Sequence, residues 1–335
     1  MLVPKLLRLD DVLIQEVEEL AQKLSEKEYT SFSALVRKLI RIGMNDMKPH
    51  TPPIDITPFA LADSAREETK LVKEFLESVG RSVFGFLPSP TDEDNVLKGG
   101  FLRTLALLRS VYKMDGPADF QSICGASRSL FEIVVDFVLI TRDPKGFPVS
   151  QLLSWENSAR LKHAKTVKSY YDAYPLKKND KHWREYPKAS KELCDFITNK
   201  GAQIEANQRK PGHYDERWTG RDLRQSAEAA DKVSNYELEQ YYILRHAPLC
   251  WDIHGSGLVG VRYVTEETFP AISAFAFHDC SELAMMIAEL LMAKYHITDS
   301  FQKEAEQLKT NIIVAKMKVM SNYPKTFKEM FPFLT

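Results

Sequence analysis

Hydrophobic positions recur at intervals of three and four residues through most of the chain, from about Leu61 to its end. This spacing places them on one side of an α-helix, and breaker segments such as "DPKGFP" and "HGSGLVGVR" separate the periodic stretches. Because no series of alternating strands accompanies them, we predict a mainly α fold of packed helices. The predicted helices are Ser64–Val79, Leu97–Tyr112, Gln121–Thr141, Ser154–Tyr171, Lys188–Ala206, Leu223–Leu244, Pro270–Tyr295 and Ser300–Met320.

The start of the chain carries a different pattern, in which a short strand-like segment precedes two amphipathic helices. Asp10 is placed to cap the first helix, and Thr30 or Ser31 the second. A lone strand leaves its backbone groups unpaired, and so small a unit cannot bury its apolar stripes. We therefore expect two copies to pair their strands across a two-fold axis. The predicted regions are a dimerisation unit at 1–47, a Pro-rich linker at 48–60 and an α-helical domain at 61–335.

The stretches "KLLRLDDVLIQEVEELA" and "SFSALVRKLIR" resemble a ribbon-helix-helix domain, as in the Arc and MetJ repressors and many antitoxins. The resemblance implies a homodimer whose paired strands enter the DNA major groove and read base edges. It also implies that the second helix directs its N-terminal N–H groups at a DNA phosphate. The DNA-contacting residues expected on this basis are Lys5, Leu6, Arg8, Ser31 and Ser33.

Dimerisation alone is the alternative function for this N-terminal unit. Residues 1–48 contain eight Lys or Arg and eight Asp or Glu, and a neutral module attracts the DNA backbone only weakly. Of the groove-facing positions implied by the resemblance, Pro4, Leu6 and Arg8, only Arg8 offers hydrogen bonds to a base edge.

Within the helical domain, Arg128, Glu132 and Asp136 follow one another at four-residue intervals in the apolar stretch "SRSLFEIVVDFVLI". They share one face of the predicted helix. One interpretation is an ion pair between Arg128 and Glu132 that ties this helix to a neighbour. The other is a polar pocket at the centre of the bundle, where ionised groups need partners.

Histidines near a helix end form the second candidate for chemistry. In "YYILRHAPLCWDIHGSG", His254 precedes a glycine-rich segment and is a candidate general acid or base, or else a packing residue. This stretch, together with "RSLFE", resembles a family of bacterial helical domains of unknown function, and the HEPN ribonucleases of toxin and phage-defence systems. The resemblance implies an RNA-cleaving site, for which we assign Arg128, Glu132 and His254. Cysteine and histidine spacings match no standard zinc pattern, so no metal is expected.

The stretch from Arg160 to Lys191 is strongly basic, with ten Lys or Arg against three acidic residues and several interleaved aromatic residues. Such a mixture follows a phosphate backbone while its rings stack on bases, although a solvated helix face is equally compatible. The predicted nucleic-acid patch is Lys165, Lys168, Lys177, Lys178, Lys181 and Arg184.

Composition limits the remaining possibilities. The net charge of -1 gives no overall attraction to nucleic acid or to anionic membranes, so any such contact has to come from a local patch. The four scattered cysteines favour a reducing cytoplasm. Because nucleotide-binding glycine motifs and hydrolase motifs are missing, we expect no cofactor. The pattern as a whole predicts a cytoplasmic, dimeric DNA-binding regulator with an appended helical sensor or effector domain. The alternative is a toxin or antiviral defence effector that cleaves RNA and uses the N-terminal unit for dimerisation.

Overall fold

The computed structural model describes residues 58–85, 90–116, 119–173, 195, 217–247 and 269–322. These residues are mainly helical and include no strand, which confirms the predicted α character for this part of the chain. The predicted ribbon-helix-helix unit, most of the linker and nearly all of the helix predicted at 188–206 lie outside the described residues.

The helices of the described ranges follow the predicted order. They are α1 (Pro58–Phe84), α2 (Asp92–Val111), α3 (Phe120–Arg142), α4 (Val149–Ala173), α5 (Leu223–Asp231), α6 (Leu238–Tyr241), a π-helical turn (Tyr242–His246), α7 (Phe269–Lys294) and α8 (Thr298–Asn322). Helix α2 begins earlier than predicted because Thr91 caps it and forms a capping box with Asp94. The Asp94 carboxylate accepts the Thr91 N–H at 2.8 Å.

The prediction of a single helix at Leu223–Leu244 is wrong, because this stretch forms α5, a turn and α6 instead. The break is made by Asp231, whose carboxylate accepts the backbone N–H groups of Leu238 at 2.5 Å and Glu239 at 2.9 Å. Such side-chain bonds offer the backbone an alternative to continuing the helix. Glu237, just before α6, adopts a left-handed conformation with φ of 55°.

Helix α7 lies at the centre of the bundle and packs against α1, α3 and α8. Every residue from Ser273 to Ala288 is buried, as expected for a helix that neighbours cover on all sides. Although α7 is so apolar, neither it nor another helix of the described ranges is long and apolar enough to cross a membrane.

Two glycines allow aromatic rings to pack closely between helix α2 and its neighbours. A Cβ added at Gly80 of α1 would lie 2.2 Å from the ring of Phe101 in α2. One added at Gly100 of α2 would lie 2.5 Å from the ring of Phe137 in α3. Both rings are buried, so each glycine forms a notch that receives the facing ring.

Candidate functional site

The most deeply buried charges of the described bundle surround the middle of α7. We call this group the core cluster; its members are Glu68, Arg245, His278, Asp279, Glu282 and Lys316. They come from α1, the π-helical turn, α7 and α8. Because ionised groups in a protein interior require partners, the pairing within this cluster decides whether it is structural or available for chemistry.

Asp279 is the hub of the core cluster and is 1% exposed. The guanidinium of Arg245 donates to its Oδ2 through both Nε, at 2.8 Å, and Nη2. The Lys316 ammonium lies 3.6 Å from Oδ1 and also pairs with Glu282. Burial alone lowers the pKa of Lys316, but the charges of Glu282 and Asp279 outweigh burial and raise it. Two cations and two carboxylates thus neutralise each other inside the bundle.

The other side of α7 is tied to α1 by polar contacts. Nδ1 of His278 lies 3.1 Å from Oε1 of Glu68, and both side chains are almost fully buried. The hydroxyls of Thr69 and Ser281 lie 3.0 Å apart. No three histidine, cysteine or acidic side chains in the described part of the chain lie close enough to hold a metal ion. These contacts tie α7 to α1, one of the helices against which it packs.

The triplet on α3 forms a second, partly exposed group. We call it the edge cluster; its members are Arg128, Glu132, Asp136, Arg217 and Trp218. Arg128 Nε lies 3.3 Å from Glu132 Oε1, which is the ion pair that one interpretation of the sequence expected. Arg217 then bridges Glu132 at 3.4 Å and Asp136 at 2.6 Å. The side chains of the two arginines are 31% and 19% exposed.

Asp136 anchors the segment that precedes α5. Its Oδ1 accepts hydrogen bonds from Arg217 and, at 2.8 Å, from Nε1 of the buried Trp218. Burial raises the pKa of Asp136 even though the Arg217 charge and these hydrogen bonds lower it. The edge cluster therefore joins α3 to residues that are distant in sequence, and its guanidinium groups are already bonded to carboxylates.

His246 ends the π-helical turn and lies beside the edge cluster. Its ring centroid is 5.0 Å from that of Phe131 and 5.1 Å from that of Tyr242. Burial, assisted by the positive charges of Arg128 and Arg217, lowers the pKa of His246 from 6.5 to about 4. The imidazole is therefore neutral at physiological pH, which suits a packing residue and also a proton acceptor. The side chain is only 2% exposed.

We expect the lowered pKa of His246 to make the fold sensitive to acid. The unfolded chain takes up a proton near pH 6.5 and the folded chain only near pH 4. The contribution that the neutral His246 makes to the free energy of unfolding is fully present above pH 6.5. It falls by about 3 kcal/mol as the pH decreases to about 4.

Urea denaturation of the wild type and of His246→Phe at several pH values checks this expectation. Phenylalanine keeps an aromatic ring at the site but takes up no proton, so the variant should lose less stability across the same window. If the free energy of unfolding changed equally with pH in the two proteins, the expectation would be refuted.

The structure brings together only part of the predicted site. Arg128 and Glu132 lie in the edge cluster, whereas His254 lies outside the described residues. Lys165 and Lys168 are exposed on α4, and the other four residues of the predicted patch, Lys177, Lys178, Lys181 and Arg184, lie outside the description. So do the five predicted DNA contacts, Lys5, Leu6, Arg8, Ser31 and Ser33.

Sequence reasoning missed Arg217, Trp218 and Lys316 as members of these clusters. Lys316 carried a usable signal, since it follows Ile312 by four residues and so interrupts the apolar stripe of α8. Arg217 and Trp218 carried no such signal, because they lie in a breaker segment without apolar periodicity. Only the folded structure brings them to Asp136.

Comparison with models of protein families, with curated proteins and with solved structures found no match to this chain. Its function therefore has to be inferred from its own residues.

Proposed function

We propose that the chain is a homodimeric DNA-binding protein of the regulator type, in which residues 1–47 hold DNA as a ribbon-helix-helix unit. The observation that carries the proposal is the strand-to-helix junction "RLDD" followed by the second-helix pattern "SFSALVRKLIR". A strand with no partner nearby in sequence is accounted for when a second copy supplies the other half of the ribbon. Arg8 is then the side chain best suited to bond a guanine edge.

In this proposal the helical body is a module appended to the DNA-holding unit. Its central charges are paired with one another, as Arg245 is with Asp279 and Lys316 with Glu282. A cavity of about 10 Å³ lined by residues including Tyr236, Met285 and Ile312 has room for about one water molecule. Small-molecule sites are far larger, so this cavity does not accommodate an effector.

An RNA-cleaving effector receives less support from the described geometry. A nuclease needs a cation and a proton acceptor that both reach the scissile phosphate. Arg245 is instead bonded to the buried Asp279, and its neighbour His246 is 2% exposed. In the edge cluster, the Arg128 guanidinium is bonded to Glu132. We therefore propose DNA binding and keep RNA cleavage, whose assigned general acid or base His254 lies outside the described residues, as the alternative.

Changing Arg8 to alanine is expected to remove sequence selectivity. A wild-type target is first isolated from a random-sequence duplex pool. Binding of Arg8→Ala to this target should weaken by about 1–3 kcal/mol per half-site, while binding to unrelated duplex changes little. Lys98→Ala, which removes an exposed charge from α2, should leave both affinities unchanged.

Two results would overturn the proposal. The first is wild-type protein that selects no duplex from the pool and sediments as a monomer. The second is Arg8→Ala protein that binds the selected target with its selectivity intact, since Arg8 would then not read the bases.

A further inference from the structure

Exposed positive charge is concentrated on the second half of α4. We call this surface the basic face; its members are Arg160, Lys162, Lys165 and Lys168, all of them exposed. The fourteen residues from Asn157 to Tyr170 contain these four basic residues and no Asp or Glu. A local charge of this size stands out in a chain whose net charge is -1.

Several basic side chains of the described helices form ion pairs within their own helix. On α1, Arg66 pairs with Asp63 at 2.7 Å, and on the α5 helix end Lys232 pairs with Glu228 at 2.8 Å. On α4, Arg160 has such a partner in Glu156 at 2.6 Å. The stretch from Lys162 to Lys168 contains no Asp or Glu.

The three lysines are placed for a polyanion rather than for a single anion. Residues three apart are neighbours on a helix surface, and the stripe Lys162–Lys165–Lys168 extends over about 9 Å of the helix axis. The hydroxyl residues Thr166 and Ser169 are exposed on the same half of α4. Lysine and hydroxyl side chains are common contacts of a nucleic-acid phosphate backbone.

The distribution of charge along the chain indicates why a DNA-binding protein of this sequence would use such a contact. The N-terminal unit, residues 1–47, has seven basic and eight acidic residues and so contributes little of the electrostatic attraction on which DNA affinity depends. From Tyr171 to Lys191 the sequence adds six basic residues against three acidic ones, which extends the same bias along the chain.

We propose that the basic face of α4 is a second, sequence-independent contact with the phosphate backbone of the DNA. This inference rests on the proposed function, because the N-terminal unit selects the site and α4 supplies affinity that depends on salt. Neutralising one phosphate with one lysine contributes about 0.9 to the slope of log affinity against log salt concentration.

The test compares two triple variants of the full-length protein on a short fluorescent duplex of mixed sequence. The first combines Lys162→Ala, Lys165→Ala and Lys168→Ala, all at exposed helix positions where alanine is well tolerated. The control combines Lys70→Ala, Lys232→Ala and Lys303→Ala, which removes the same charge from exposed positions elsewhere. Affinity is measured by anisotropy over a series of salt concentrations.

The α4 variant should lower the salt slope by about 2–3 per chain, while the control keeps the wild-type slope. An unchanged slope in the α4 variant, or an equal loss in the control, would overturn the inference and leave the N-terminal proposal standing. If the wild type binds single-stranded RNA but no duplex, the proposed function and its DNA contact both fail. The same holds if it binds neither nucleic acid.

Discussion

Replacing Asp279 by alanine is expected to lower the free energy of unfolding by about 3–5 kcal/mol, because the change leaves a buried guanidinium without its carboxylate. Asp279 is 1% exposed and receives two hydrogen bonds from Arg245. Burial lowers the pKa of Arg245, but the Asp279 charge and hydrogen bonds more than offset it. Removing the carboxylate takes away the largest of the effects that oppose burial.

Chemical denaturation of Asp279→Ala beside Glu156→Ala measures this effect. Glu156 pairs with Arg160 at 2.6 Å on the surface of α4, where both side chains are exposed. Loss of such a surface pair should change stability by less than about 1 kcal/mol. Combining Arg245→Met with Asp279→Leu removes both charges and should recover much of the loss. Equal midpoints for Asp279→Ala and Glu156→Ala would show that Asp279 is not a hub.

Replacing Phe131 by alanine is expected to cost about 3–5 kcal/mol, because it opens a cavity where α3 meets the π-helical turn. The Phe131 ring is fully buried and stacks on Tyr241, with centroids 5.0 Å apart and an interplanar angle of 16°. His246 contacts the same ring. The substitution should therefore also loosen the packing of Tyr241 and His246, which contact this ring next to the edge cluster.

Thermal and urea unfolding of Phe131→Ala, with Leu102→Ala as the control, measures this cost. Leu102 is 53% exposed on α2, so its truncation removes little buried surface and should be nearly neutral. Phe131→Leu keeps most of the apolar volume and should give an intermediate loss. A Phe131→Ala protein as stable as Leu102→Ala would mean that this junction repacks without a cavity.

Sequence periodicity predicts the helices most closely where apolar residues repeat without interruption. The predicted ends of α3 and α7, Gln121–Thr141 and Pro270–Tyr295, each lie one residue from the observed ones. The prediction fails at Leu223–Leu244, where apolar spacing continues but Asp231 bonds the backbone of Leu238 and Glu239. Periodicity shows which side of a segment is apolar. It does not show that a side chain will bond to the backbone and end the helix.

The candidate sites show the same division at the level of single side chains. Arg128 and Glu132 are four residues apart, so their ion pair follows from helix geometry alone. Arg217 reaches the same carboxylate from a distant segment, and Lys316 reaches Asp279 from α8. A charge within an apolar run indicates that a partner exists, but it does not identify the partner.

By itself, the sequence determines the helical character of the body, the apolar faces of its helices and the concentration of positive charge along α4. These are local properties, set by side chains a few residues apart on the same helix. Only the tertiary structure decides that α7 is enclosed, that Arg245 and Lys316 meet at Asp279, and that Lys162, Lys165 and Lys168 remain at the surface. Burial and long-range pairing depend on how helices pack, and many packings are compatible with the same local pattern.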